Sequence, residues 1–136
     1  MLIRHEGVRF KPYRDTVGKL TIGVGHNLDD KPLSQSAIEQ ILSDDISDVQ
    51  QGLRSVFTWF QQIDSVRQDV LTDMAFNMGV GGLMGFRRFL AAMQNGDWLE
   101  AKKEMLDSKW AKQVGARAKE LAAMVESGKY QGEGNV

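Results

Sequence analysis

The sequence predicts an α+β fold, predominantly α, on three observations. Alternation of apolar and polar side chains is confined to one short stretch near residues 20–24. Helical spacing recurs from residue 35 onward, and Gly, Asn, Asp and Ser punctuate the helical stretches at their ends. With 136 residues, 42% of them hydrophobic, the chain suits one domain that buries a sizeable core.

Residues 2–7 read as one or two helical turns closed by Gly7. Leu20, Ile22 and Val24 then alternate with Lys19, Thr21 and Gly23, a half-buried strand. Thr16-Val17-Gly18-Lys19 has turn chemistry, so Tyr13–Asp15 and Leu20–Val24 are expected to form a small hairpin. Residues 27–32 read as a loop, and Ser34 as the N-cap of a helix from Gln35. Ile38, Ile41, Leu42, Ile46, Val49 and Leu53 carry that helix on, with Ser43 or Asp44 as a candidate interruption. From Asp64, Val66, Val70, Met74 and Met78 repeat every four residues up to Gly79; Arg67 breaks the apolar face in the first turn. Further helices are expected over 86–94, ended by Asn95-Gly96, over 98–106 behind an Asp97 cap, and over 116–126. The Gly-rich tail, 128–136, is expected to fray.

Composition narrows the chemistry. There is no Cys, which excludes disulfides, thiolate nucleophiles and Cys-based zinc sites. His5 and His26 form no HExxH motif and the acids lack calcium-loop spacing, so no metal and no cofactor are expected. Gly23-Val24-Gly25 and Gly79-Val80-Gly81 do not continue as phosphate-binding loops, and no Ser sits in a G-x-S-x-G turn. The seven Met residues at helical spacing read as core fillers. No run of about 18 apolar residues is present, so no stable membrane insertion is expected. Charge at Arg4 comes too early for a signal peptide, which suggests a chain made in the cytoplasm and exported by another factor. Five Arg and Lys stand against Glu6 and Asp15 up to His26; six acids stand against Lys31 between Asn27 and Gln51. The basic segment suits an anionic polymer, or is simply a solvated surface of mixed charge.

The residues that carry chemistry are Glu6, Asp15 and Thr21, spaced Glu-x8-Asp-x5-Thr within HEGVRFKPYRDTVGKLTIGVGH. Two carboxyls in different surroundings can hold different protonation states, which acid and base work at one glycosidic bond requires. Whether Asp15 and Thr21 share a face depends on the register across the turn.

The chain resembles the phage-type lysozymes, in particular the T-even coliphage branch. H-E-G, Y-R-D-T-x-G, T-I-G-V-G-H, A-F-N-M-G, G-F, N-G-D-W-x-E-A, S-K-W and R-A-K occur in family order over nearly the whole chain. The resemblance implies a lysozyme-like two-lobe fold within a single domain. A hairpin lobe would span about residues 1–33, an interlobe helix about 34–56 and a helical lobe about 57–136. By position, Glu6 would be the general acid, and Asp15 and Thr21 would hold and activate water. Asn77 and Arg117 would meet the substrate, and Arg117 would also reach Glu6. His26 and Asp45 match an ion pair that supports the site, while Trp110 and Phe86 match packing positions. One departure stands out: only Asn27–Pro32 separates His26 from Leu33, where the branch carries a longer insertion. A smaller first lobe and a more open cleft are expected.

The implied activity is that of an N-acetylmuramidase. It would hydrolyse the β-1,4 bond between N-acetylmuramic acid and N-acetylglucosamine in peptidoglycan, with inversion, during cell-wall lysis. The implied partner is the peptidoglycan glycan strand, met by a monomer, with no nucleic acid. A lytic transglycosylase would need Glu6 but neither Asp15 nor Thr21, a non-catalytic wall-binding module would need none of the three, and a chitin-directed hydrolase would use the same groups on related sugars.

Overall fold

The computed structural model describes residues 1–132; the part of the expected frayed tail at 133–136 lies outside the described residues. The chain is α+β and predominantly helical. It divides into two compact units, Met1–Ser43 and the residues from Asp44 on.

The first unit opens with α1 (Leu2–Glu6), which Gly7 terminates at φ 75° while its N–H donates to the Ile3 carbonyl at 2.8 Å. Strands β1 (Arg9–Arg14), β2 (Leu20–Gly23) and β3 (His26–Asn27) form an antiparallel sheet in that order. β1 begins earlier than the alternation suggested. Its pairing jumps from Arg9↔Gly23 to Tyr13↔Thr21, so four steps on β1 oppose two on β2. Pro12 falls in this irregular stretch of an edge strand, where its missing N–H costs no ladder bond.

β3 occupies part of the expected loop, pairing Ile22↔His26 and Thr21↔Asn27. Two residues are too few to show a period, so the sequence offers no signal for it. Asn27 also closes the following turn: its side chain donates to Asp30 at 2.9 Å and accepts from Asp30 N–H at 3.1 Å. The acids of this loop fold back on the hairpin's cations, with Arg14–Asp29 at 3.5 Å and Lys19–Asp30 at 3.1 Å. The segregated charges of the sequence are thus partly neutralised within the unit.

Helix α2 (Gln35–Val56) starts where Ser34 Oγ accepts from Ala37 N–H at 3.2 Å. It passes Ser43 and Asp44 without a break, since each costs only about half a kcal/mol of helix propensity. The division between the units falls inside it. Its Leu53 is fully buried, with Phe60 of a short 3-10 turn (Phe60–Gln62) in the same core.

The second unit continues with α3 (Ser65–Met84), α4 (Arg87–Asn95), α5 (Trp98–Leu106), α6 (Lys109–Val114) and α7 (Ala116–Ser127). Asp64 and Asp97 cap α3 and α5 through Arg67 N–H and Glu100 N–H. Gly79 interrupts α3 as expected, at φ 82° and ψ 154°, but helical backbone resumes beyond it to Met84. Gly96 ends α4 in the left-handed conformation. Helix α6 has no counterpart in the sequence reading: six residues cannot display a helical period, although Ser108 caps it through Ala111 N–H at 3.1 Å. Met74, Met93 and Met105 are fully buried beside Val70, Leu71, Phe89 and Val125, so these Met residues are core fillers.

Arg67, the apparent flaw in α3's apolar face, is a buried tie between helices. Its Nε donates to Val125 O at 2.7 Å, Nη2 to Glu126 O at 3.2 Å and Nη1 to Asp64 Oδ1 at 3.1 Å. The guanidinium also stacks 3.8 Å from the centre of the Trp98 ring. A cation at the carbonyl end of α7 satisfies acceptors that no helical N–H can reach. Residues 128–131 are correspondingly held, contrary to the expected fraying: Gly128 N–H donates to Met124 O at 2.8 Å, and the Tyr130 hydroxyl donates to the Asp69 carboxylate.

Candidate functional site

The register settles whether Asp15 and Thr21 share a face. Tyr13 pairs with Thr21 and Arg14 with Leu20, and Asp15 N–H donates to Lys19 O at 2.9 Å, one step further along the ladder. Cross-strand partners project to the same side of a sheet, and side chains alternate along each strand. Tyr13, Asp15, Lys19 and Thr21 therefore share one face, and Arg14 and Leu20 the other.

Lys19 O connects the two candidate residues. It accepts Asp15 N–H and also the Thr21 hydroxyl at 2.9 Å. Thr21 is buried, and with its proton committed to that carbonyl its Oγ1 offers only lone pairs outward. Asp15 is fixed by the turn it begins: Oδ1 accepts Val17 N–H at 3.0 Å and Lys19 N–H at 2.8 Å. Its Oδ2 has no hydrogen bond among the described residues and is the oxygen available for chemistry. The two side chains thus present two acceptors and no donor. The Lys19 ammonium, on the same face, is engaged by Asp30; that hydrogen bond and charge raise its pKa above the usual lysine value.

Glu6 is the last residue of α1, and its carboxyl rests against Gly25 in the turn between β2 and β3. Within residues 1–43 it accepts no hydrogen bond from a described group. His26, next to Gly25, places Nε2 3.0 Å from Lys31 O, which leaves Nδ1 as its second ring nitrogen.

The remaining candidates lie in the second unit. Asn77 accepts from Trp110 Nε1 at 2.8 Å, and because an indole N–H can only donate, the Asn77 amide must turn its oxygen inward and its NH2 outward. Trp110 is buried, edge-on to Phe86, so both are packing residues, and Trp110 also orients Asn77. Arg117, the second residue of α7, donates from Nε to Asp73 Oδ1 at 2.6 Å and from Nη2 to Asp73 O at 3.3 Å. That grip leaves Nη1 free of described partners. Asp45 stands on α2.

The sequence reading missed three residues that orient these groups: Lys19 through its carbonyl, Trp110 through its indole and Asp73 through its carboxylate. Only Asp73 left a usable signal. Asp69, Asp73 and Asn77 recur every four residues on the flank of α3 opposite its apolar stripe.

A family model described as phage lysozyme matches residues 3–127. The "Pre-baseplate central spike protein Gp5" of Enterobacteria phage T4 is 34% identical over 98% of this chain, which spans only 28% of that protein. "Probable T4-type lysozyme 1" and "Probable T4-type lysozyme 2" of Dictyostelium discoideum are 27% and 26% identical; each match covers 94% of this chain and 92% of the relative.

Proposed function

The chain belongs to the phage lysozyme family and is a glycosidase of peptidoglycan, and on that premise we propose that it cleaves the β-1,4 bond between N-acetylmuramic acid and N-acetylglucosamine by an inverting hydrolysis. Glu6 delivers a proton to the leaving oxygen, and Asp15 and Thr21 hold the attacking water. The observation that carries this reading is the acceptor pair built on Lys19 O. A water that donates one hydrogen to Asp15 Oδ2 and the other to Thr21 Oγ1 keeps its lone pairs directed away from the sheet, toward a sugar carbon. As the bond breaks, Asp15 takes the water's proton and the anomeric carbon inverts.

In the same proposal, the Asn77 NH2 and the Arg117 guanidinium bind the glycan. His26, with Nε2 turned to Lys31 O, and Asp45 serve as structural residues that support the site. The enzyme would act as a monomer, without cofactor, on a wall it reaches through another factor.

The test is digestion of purified peptidoglycan in oxygen-18 water. Mass spectrometry should find one labelled oxygen at the reducing muramic acid, and early NMR spectra should show the α anomer first. Anhydro-muramic products would replace hydrolysis with transglycosylation, and an initial β anomer would replace inversion with retention.

A further inference from the structure

The connection from β2 to β3 holds two glycines, Gly23 at the end of β2 and Gly25 in the turn, of nearly identical backbone and very different surroundings. Gly23 has φ +69° and Gly25 φ +70°, a region that L side chains adopt only with strain. A Cβ built on Gly23 meets nothing within 4 Å. A Cβ built on Gly25 would lie 2.9 Å from Glu6 Oε2, 3.0 Å from its Cδ and 3.3 Å from its Cγ. The backbone requirement explains both glycines, but only at Gly25 does the missing side chain also make room for something. What occupies that room is the carboxyl of Glu6.

We infer that Gly25 is a positioning residue for the acid: the bare backbone at this turn is the seat of the Glu6 carboxyl, and any side chain there would displace it. The inference rests on the reading of Glu6 as the proton donor. The steric argument decides where the cost falls. Glu6 ends in a flexible side chain at the surface, so an added methyl is accommodated by rotating the carboxyl away, not by unfolding the sheet. The penalty of a substitution at Gly25 beyond the one shared with Gly23 is therefore in catalytic geometry. A displacement of about 1 Å of a reacting group costs on the order of 100-fold in rate.

The paired glycines supply the control. Gly25→Ala and Gly23→Ala are compared with the parent chain in melting temperature, in kcat and KM on solubilised glycan strands, and in the carbon-13 resonance of the Glu6 carboxyl, assigned by its loss in Glu6→Gln. Both variants should lose similar stability. Gly25→Ala alone should shift the Glu6 resonance and lower kcat by about 100-fold, with KM within about twofold of the parent. Equal kcat losses and an unmoved Glu6 resonance in Gly25→Ala would overturn the inference. Should Gly25→Ala fail to fold, Glu6→Ala in the same chain must restore folding, and failure of that rescue overturns it as well. A parent chain that hydrolyses no glycan would refute the assigned function instead. The resonance comparison would still decide the seat.

Discussion

The two units hold their important side chains by different means. In residues 1–43 only Thr21 is buried, and Glu6, Asp15 and Thr21 are placed by turn and ladder geometry: a helix-ending glycine, Lys19 O as a shared acceptor, and a bare backbone at Gly25. From Asp44 on, apolar burial dominates, and Asn77 and Arg117 are braced by a buried Trp110 and by Asp73. On the proposed function, chemistry and stability are separable in this chain. Turn and ladder geometry can aim the oxygens of the proposed site while adding little to the core, and a helical core can be strong without supplying the proposed acid or the proposed water-holding pair.

That separation can be broken in four places. The largest effect belongs to Glu6→Gln, which removes the proton while keeping shape. It should reduce hydrolysis by about 1000-fold or more, with the melting temperature unchanged; appreciable residual turnover would move the acid elsewhere. Next comes Arg67→Met, which leaves the Val125 and Glu126 carbonyls without donors and unstacks Trp98. It should cost about 3 kcal/mol in denaturant unfolding yet leave kcat of the folded enzyme intact; an equal fall in kcat would mean that the units are not separable.

Thr21 sharpens the comparison inside the small unit. Thr21→Val deletes both the outward acceptor and the bond to Lys19 O, so kcat should fall about tenfold, the rate equivalent of about 1.4 kcal/mol, while Thr21→Ser should retain most activity. If valine and serine behaved alike, the hydroxyl would have no part in holding water. The smallest effect is electrostatic. Lys19 titrates above its ordinary value because of Asp30, so the stabilisation from that pair is present below the unfolded lysine pKa and disappears as pH rises through the folded one. Asp30→Asn should lower the Lys19 titration seen by nitrogen-15 NMR and lower thermal stability at neutral pH only slightly, because the pair is exposed. A clear drop in melting temperature would show that surface charges matter to the sheet after all.

Much of this was legible in the chain. Local signals are short-range, so Gly7, Ser34, Gly96 and Asp97 announced the helix ends where they occur. The four-residue apolar repeat gave α3 its buried face, and the Glu-x8-Asp-x5-Thr spacing singled out the three residues of the proposed site. Elements of two and six residues, β3 and α6, escaped because neither is long enough to show a period.

By itself, then, the sequence determined the α+β class, the helix boundaries set by caps, and the kinds of chemical group available. Tertiary structure decided how those groups face one another. The bulge at Pro12 and the register Tyr13↔Thr21 put Asp15 and Thr21 on one face, a matter of pairing that composition does not encode. Arg67 looked like a defect until carbonyls 58 and 59 residues away received it. Gly25 looked like any turn glycine until the end of α1 came to rest on it. In each case the deciding partner is distant along the chain. Periodicity and capping report only neighbours, so these contacts exist only once the fold has brought their partners together.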